Sequence, residues 1–110
     1  MAQNFKNQFE NVSTTAEEIL DAVNSFDAVV GIRLCNVSSQ TIVVDIYIVR
    51  ASPSGTFYLL KNAEIGQGSS LELIDGGSKI VLQSGDKIMG ITNVANSLDT
   101  VVSYVDAIST

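Results

Sequence analysis

The chain has 110 residues, 45% of them apolar and only 16% charged, with six Lys and Arg against twelve Asp and Glu for a formal net charge of −6. That length suits one domain spanning residues 1–110, with room for one core but not for a core and an elaborate cleft. The six cations, Lys6, Arg33, Arg50, Lys61, Lys79 and Lys87, are scattered. Nucleic acid and anionic membrane are therefore poor partners, because both are gripped by clustered positive charge.

In chain order, "MAQNFKNQFENV" has neither a basic head nor an apolar stretch of the signal-peptide kind. Residues 1–12 are expected to form either an extended arm lying on a neighbour or a plain first strand. The next segment, "STTAEEILDAVNSF", places Thr15 three residues before Glu18 as in a capping box. Ile19, Leu20, Val23 and Phe26 follow at helical spacing, so local pattern predicts one short helix over 15–25.

From residue 28 the rhythm has period two. "AVVGIRLCNV" sets Val30, Ile32 and Leu34 inward, and "QTIVVDIYIVR" does the same for Ile42, Val44, Ile46 and Ile48. With the polar "NVSSQ" between them, residues 28–50 read as a hairpin. "ASPSGT" then breaks the chain at Pro53. Further strands place Phe57 and Leu59 on one face, then Leu71 and Leu73, and then Ile80 and Leu82, inward, separated by "GQGSS", "DGGS" and "SGD" turns. "KIMGITNV" and "TVVSYVDAI" complete an all-β pattern of about eight short strands. It indicates a single antiparallel β-sandwich or jelly-roll-like domain rather than βαβ units.

Chemistry is hard to place on this chain. The absence of histidine removes Ser-His-Asp and Cys-His triads, and with a single cysteine there is no nitrogen/sulfur metal set and no disulfide framework. Gly76-Gly77-Ser78-Lys79 departs from a P-loop, and Gly66-Gln67-Gly68 departs from a dinucleotide fingerprint because position 71 is Leu. Both read as turns. Asp75 and Asp86 lie in adjacent turns and could in principle meet around Ca²⁺, but no calcium-loop spacing supports this, and Asx turns account for both. Glu64, Glu72, Asp86 and Asp99 are the carboxylates available for acid–base work, with nothing around them to raise a pKa. Cys35 shares a strand face with Arg33 but reads as a small side chain on a sheet. Tyr47, Tyr58 and Tyr104 form either an interface patch or sandwich filling. The sequons at Asn11 and Asn36 are expected to be chance matches, since no signal peptide is read in "MAQNFKNQFENV". No catalytic, cofactor-binding or metal residue is assigned, and no cofactor is expected.

The runs "GIRLCNVSSQTIVVDIYIVR", "TFYLLKNAEIGQGSSLELIDGGSKIVLQSGDKI" and "NSLDTVVSYVDAI" resemble small virion structural proteins of tailed bacteriophages, especially phages of marine bacteria and cyanobacteria. The start "MAQNFKNQ" is similar as well, and the likeness covers most of residues 1–108. The resemblance implies a subunit that is made in the host cytoplasm and sits on the virion as a capsid-decorating, neck or tail component. It implies a homo-oligomer, with a trimer favoured, bound to the major capsid protein or to neck or tail proteins. It brings no catalytic residue. It also implies a strand where the local pattern of "EEILDAVNSFD" predicts helix. The expected function is thus that of a non-enzymatic particle protein, with a receptor- or glycan-binding module as the alternative, its loops being "ASPSGT" and "GQGSS".

Overall fold

The computed structural model describes residues 4–22, 26–51, 53–74 and 80–106. It holds nine strands and, among the described residues, no helix: β1 (Asn4–Val12), β2 (Glu17–Asp21), β3 (Asp27–Asn36), β4 (Ile42–Ala51), β5 (Ser54–Ile65), β6 (Ser70–Glu72), β7 (Ile80–Leu82), β8 (Lys87–Thr92) and β9 (Leu98–Asp106). They form two antiparallel sheets. Sheet A runs β1-β9-β3-β6 with β7 also on β3, and sheet B runs β2-β8-β4-β5. β6 pairs with Arg33–Cys35 and β7 with Asp27–Val29, so the two are halves of one edge strand alongside β3. β6 and β7 are expected as separate strands from the sequence; the additional strand is β2, where the local pattern predicts a helix. With the halves counted as one strand, eight strands divide between two sheets in the manner of a jelly roll.

Burial explains the pairing. Val12, Ile19, Val29, Ile32, Leu34, Ile42, Val44, Ile46, Leu82, Ile88, Leu98 and Val102 are fully buried between the sheets. Each such side chain contributes about 1.5–3 kcal/mol. β4 keeps the strict alternation read from its sequence. Two other segments depart from it because of bulges, which insert a residue and reset which side faces inward. On β3 the register shifts between Val29 and Gly31, so Val29 is in the core and Val30 is exposed, the reverse of the expectation for Val30. On β2 the shift falls between Glu18 and Leu20, and the adjacent Ile19 and Leu20 are both buried. The helix predicted over 15–25 is therefore a strand at Glu17–Asp21. Glu18 does not cap a helix but reaches Lys87 on β8 at 3.0 Å; Val23 lies outside the described residues.

The expected hairpin over 28–50 is also corrected. β3 belongs to sheet A and β4 to sheet B, so residues 37–41 cross between sheets. Asn36, fully buried, makes that corner. Its Nδ2 donates to the carbonyls of Gln40 (2.8 Å) and Ile65 (2.9 Å), and its Oδ1 accepts from Ser38 N (2.9 Å) and Oγ (2.7 Å). The sequence neighbours β4 and β5 do pair, from Ile42↔Ile65 to Ala51↔Ser54, and Pro53 lies at their tip. At the β7–β8 corner, buried Asp86 accepts from Ala51 N at 3.1 Å and Gln83 N at 3.0 Å. Gly85 there has φ 90°, and a Cβ on it would lie 2.9 Å from the Cβ of Ala51, so the corner needs glycine.

Candidate functional site

Of the residues weighed for chemistry, Arg33, Glu72, Cys35 and Asp99 share the outer face of sheet A, and the others lie elsewhere. Cys35 is a half-buried free thiol whose cross-strand neighbours are Asp99 and Ser70, while Arg33 is engaged with Glu72 at 3.4 Å. Asp99, directly beside Cys35 on β9, accepts from Asn11 Nδ2 at 2.7 Å. Glu64 is exposed on β5 in the opposite sheet, and both oxygens of Asp86 are occupied by backbone donors. Asp75 and the Gly76-Gly77-Ser78-Lys79 run lie outside the described residues. Gly66-Gln67-Gly68 forms the β5–β6 corner, in which Gly68 (φ 70°) donates to the carbonyl of Asn36. Glu10, Glu17, Glu18 and Asp21 wall a cleft of about 540 Å³ between β1 and β2. No group of three potential metal ligands forms among the described residues, and no helix there is long and apolar enough to cross a membrane.

What the fold does assemble is two contrasting outer faces. On sheet B, Tyr47 and Tyr58 stand opposite each other with ring centroids 5.2 Å apart and planes tilted by 46°. Lys61 Nζ lies 4.5 Å above the Tyr58 ring and 3.5 Å from Asp45 Oδ2. The other Asp45 oxygen accepts from Asn62 N at 2.7 Å and holds the positive-φ bulge there. Tyr104, by contrast, packs partly buried against the core from β9. The structure thus brings two of the three tyrosines together, and their rings and charges are already in contact with one another.

Sheet A presents its outer side chains in rows, because directly paired residues of neighbouring strands project from the same face. One row reads Phe5–Val105–Ala28–Val81, and another reads Phe9–Val101–Arg33–Glu72. Between them runs Asn7–Ser103–Gly31. Phe5 is 84% exposed and Phe9 66%. Past Val81, itself exposed, the surface turns into a groove of about 310 Å³ lined by Ile48, Phe57, Val81 and Leu82, with Arg50 and Asp86 alongside. The signal for this face was present in "NFKNQFENV". Buried Val12 fixes the parity of β1, and the two phenylalanines, an odd number of residues away, must then point outward.

No known family model and no curated protein matches the chain. Among solved structures it is similar to a Bacillus endospore appendage protein, from a novel family of disulfide-linked pili. The likeness spans 99% of this chain and 88% of that one, with a TM-score of 0.60 and 15% identity. At that identity the agreement is one of fold. It places the two-sheet sandwich, over nearly its whole length, beside a protein of endospore appendages, whereas the resemblance read from the sequence pointed to phage particles.

Proposed function

We propose that this chain is a non-enzymatic structural subunit, a single domain over residues 1–110 that assembles with copies of itself on the outside of a particle or appendage. The observation that carries the reading is the placement of exposed apolar bulk. Large aromatic side chains stand on an open edge strand and its sheet face, while the reactive groups are dispersed or tied into corners. Unpaired edges and exposed phenylalanines are liabilities for a solitary protein and assets for a subunit. The shared fold with a pilus protein and the sequence resemblance to virion proteins both lean toward assembly.

The finer forms of the reading differ in symmetry. On a virion, the chain would be a closed oligomer, a trimer by preference, decorating the capsid or seated at the neck or tail. As an appendage, it would repeat head to tail into a filament. Its single cysteine, half-buried near the end of β3, favours non-covalent contacts in either form. Light scattering and negative-stain electron microscopy of the purified chain separate the two: a discrete small oligomer supports docking on a particle, and filaments support an appendage. A clean monomer at high concentration, with no affinity for particles, would refute both. The receptor-module alternative, with "ASPSGT" and "GQGSS" as its binding loops, would be favoured by reproducible binding on a glycan array.

A further inference from the structure

We propose that the outer face of sheet A is a self-association surface on which two copies pack face to face, with Phe9 of each copy seated over Gly31 and Ser103 of the other. This deepens the reading of the chain as an assembling subunit and rests on it. The first argument is shape. Phe5 and Phe9 stand on the edge strand in rows about 7 Å to either side of the row that carries Ser103 and Gly31. A Cβ placed on Gly31 would meet only Glu72 Oε2 at 3.7 Å and Ser103 Cβ at 3.8 Å, so the middle row is a shallow trough with open space above it. A protruding ring and a trough on one face make that face self-complementary. An in-plane two-fold axis that carries Phe9 onto Gly31 seats both rings at once.

Charge and area point to the same occupant. The net charge of −6 gives two copies reason to repel, yet in the rows of this face Arg33 is compensated by Glu72, which leaves Asp99, hydrogen-bonded by Asn11 but still anionic, as a single net charge at one end. Like-charged copies can therefore approach here at little electrostatic cost, and a strongly charged partner finds little to match. Four strands at about 4.8 Å spacing and nine residues of β1 give a face of roughly 500 Å² in plan. The two phenylalanines, each able to bury about 150–250 Å², raise it toward the roughly 800 Å² per partner of a standard interface.

The test is sedimentation velocity of the full chain from about 1 to 200 μM, with urea unfolding of each variant alongside. Wild type should associate, and Phe9→Ser should weaken association at least ~10-fold, the loss of about 1.4 kcal/mol of binding. Gly31→Val is the decisive variant. It fills the trough with a residue that suits a strand, so it should weaken association equally while the unfolding midpoint holds or rises. Tyr58→Ser on the opposite face should leave association within about twofold of wild type. If wild type associates but neither Phe9→Ser nor Gly31→Val changes it, this face is overturned and the subunit reading stands. If wild type is monomeric throughout, this face is overturned, and a further lack of affinity for particles overturns the subunit reading as well. A monomer that co-sediments with phosphatidylcholine vesicles through Phe5 and Phe9 would assign the face to lipid and overturn the proposal.

Discussion

The two outer faces are built on one core, yet they use their side chains differently. On the outer face of sheet B the central groups have partners within the sheet, Tyr47 against Tyr58, Lys61 over Tyr58 and against Asp45, and Lys87 against Glu18, although Phe57 on its edge strand is 59% exposed. On sheet A, the outward bulk of β1 meets only small or half-exposed neighbours, and Phe5 and Phe9 stay in water. Leaving two large aromatic rings exposed costs solubility and adds nothing to the fold of a single copy. A self-contained face contributes to stability, and an incomplete one is available for binding. Substitutions should separate these two properties.

The largest expected effect lies at the joint that holds both faces together. Asn36→Ala removes a buried carboxamide with four hydrogen bonds and takes a donor from the buried carbonyl of Ile65, while the carbonyl of Gln40 keeps Ser38 Oγ. The cost should be about 3 kcal/mol, read as a fall of the urea midpoint by roughly 1–2 M. A loss below about 1 kcal/mol would mean that water takes over the corner, and that the two sheets are not locked through this residue. Next is Tyr58→Ala. It should cost about 1 kcal/mol, from the tyrosine pair and the lysine above it, discounted for exposure. Phe9→Ser should change the unfolding free energy of the dilute monomer by less than ~0.5 kcal/mol. If Phe9 proves as costly to the monomer as Tyr58, the distinction between the faces collapses.

These contrasts were unevenly legible in the sequence. The alternation of Ile42, Val44, Ile46 and Ile48 was readable because β4 is central to its sheet and carries its register shifts without changing which side its residues bury. At Glu17–Asp21 the reading failed for a definite reason. A bulge buries Ile19 and Leu20 side by side, and two adjacent apolar residues look like one stripe of a helix. At "NVSSQ" the composition was right for a turn but silent about its destination. A hairpin turn and a crossing between sheets use the same small polar residues. The decision is made by β9 and β8, which arrive from the far end of the chain to pair with β3 and β4. The Tyr47–Tyr58 contact was hidden similarly, since the shifts in β4–β5 register on either side of Ile46 set which residues meet. Phe5 and Phe9 were the missed opportunity: nothing non-local was required beyond the inward orientation of Val12.

The smallest effect is the most selective test of the idea that sheet B completes its own charges. Glu18 Oε1 lies 3.0 Å from Lys87 Nζ across the β2–β8 pair. The hydrogen bond to that carboxylate, and then its charge, raise the Lys87 pKa above 10.5, with Asp21 adding slightly and partial desolvation opposing. A cation whose pKa is raised on folding stabilises the folded state fully at pH values below 10.5 and loses that contribution as pH climbs through the folded-state value. Stability should therefore carry this contribution undiminished from neutral pH to about 10 and shed it above. Glu18→Gln should remove that alkaline dependence while leaving the neutral-pH fold intact. Both side chains are nearly half exposed, so water and salt screen the pair and a melting curve will barely register it. The discriminating readout is the NMR titration of Lys87 itself. In Glu18→Gln its midpoint should move down toward 10.5, and in about 1 M salt the wild-type midpoint should move the same way. A midpoint indifferent to both would show that the ion pair does not persist in solution, and sheet B's outer face would then be less self-contained than its geometry implies.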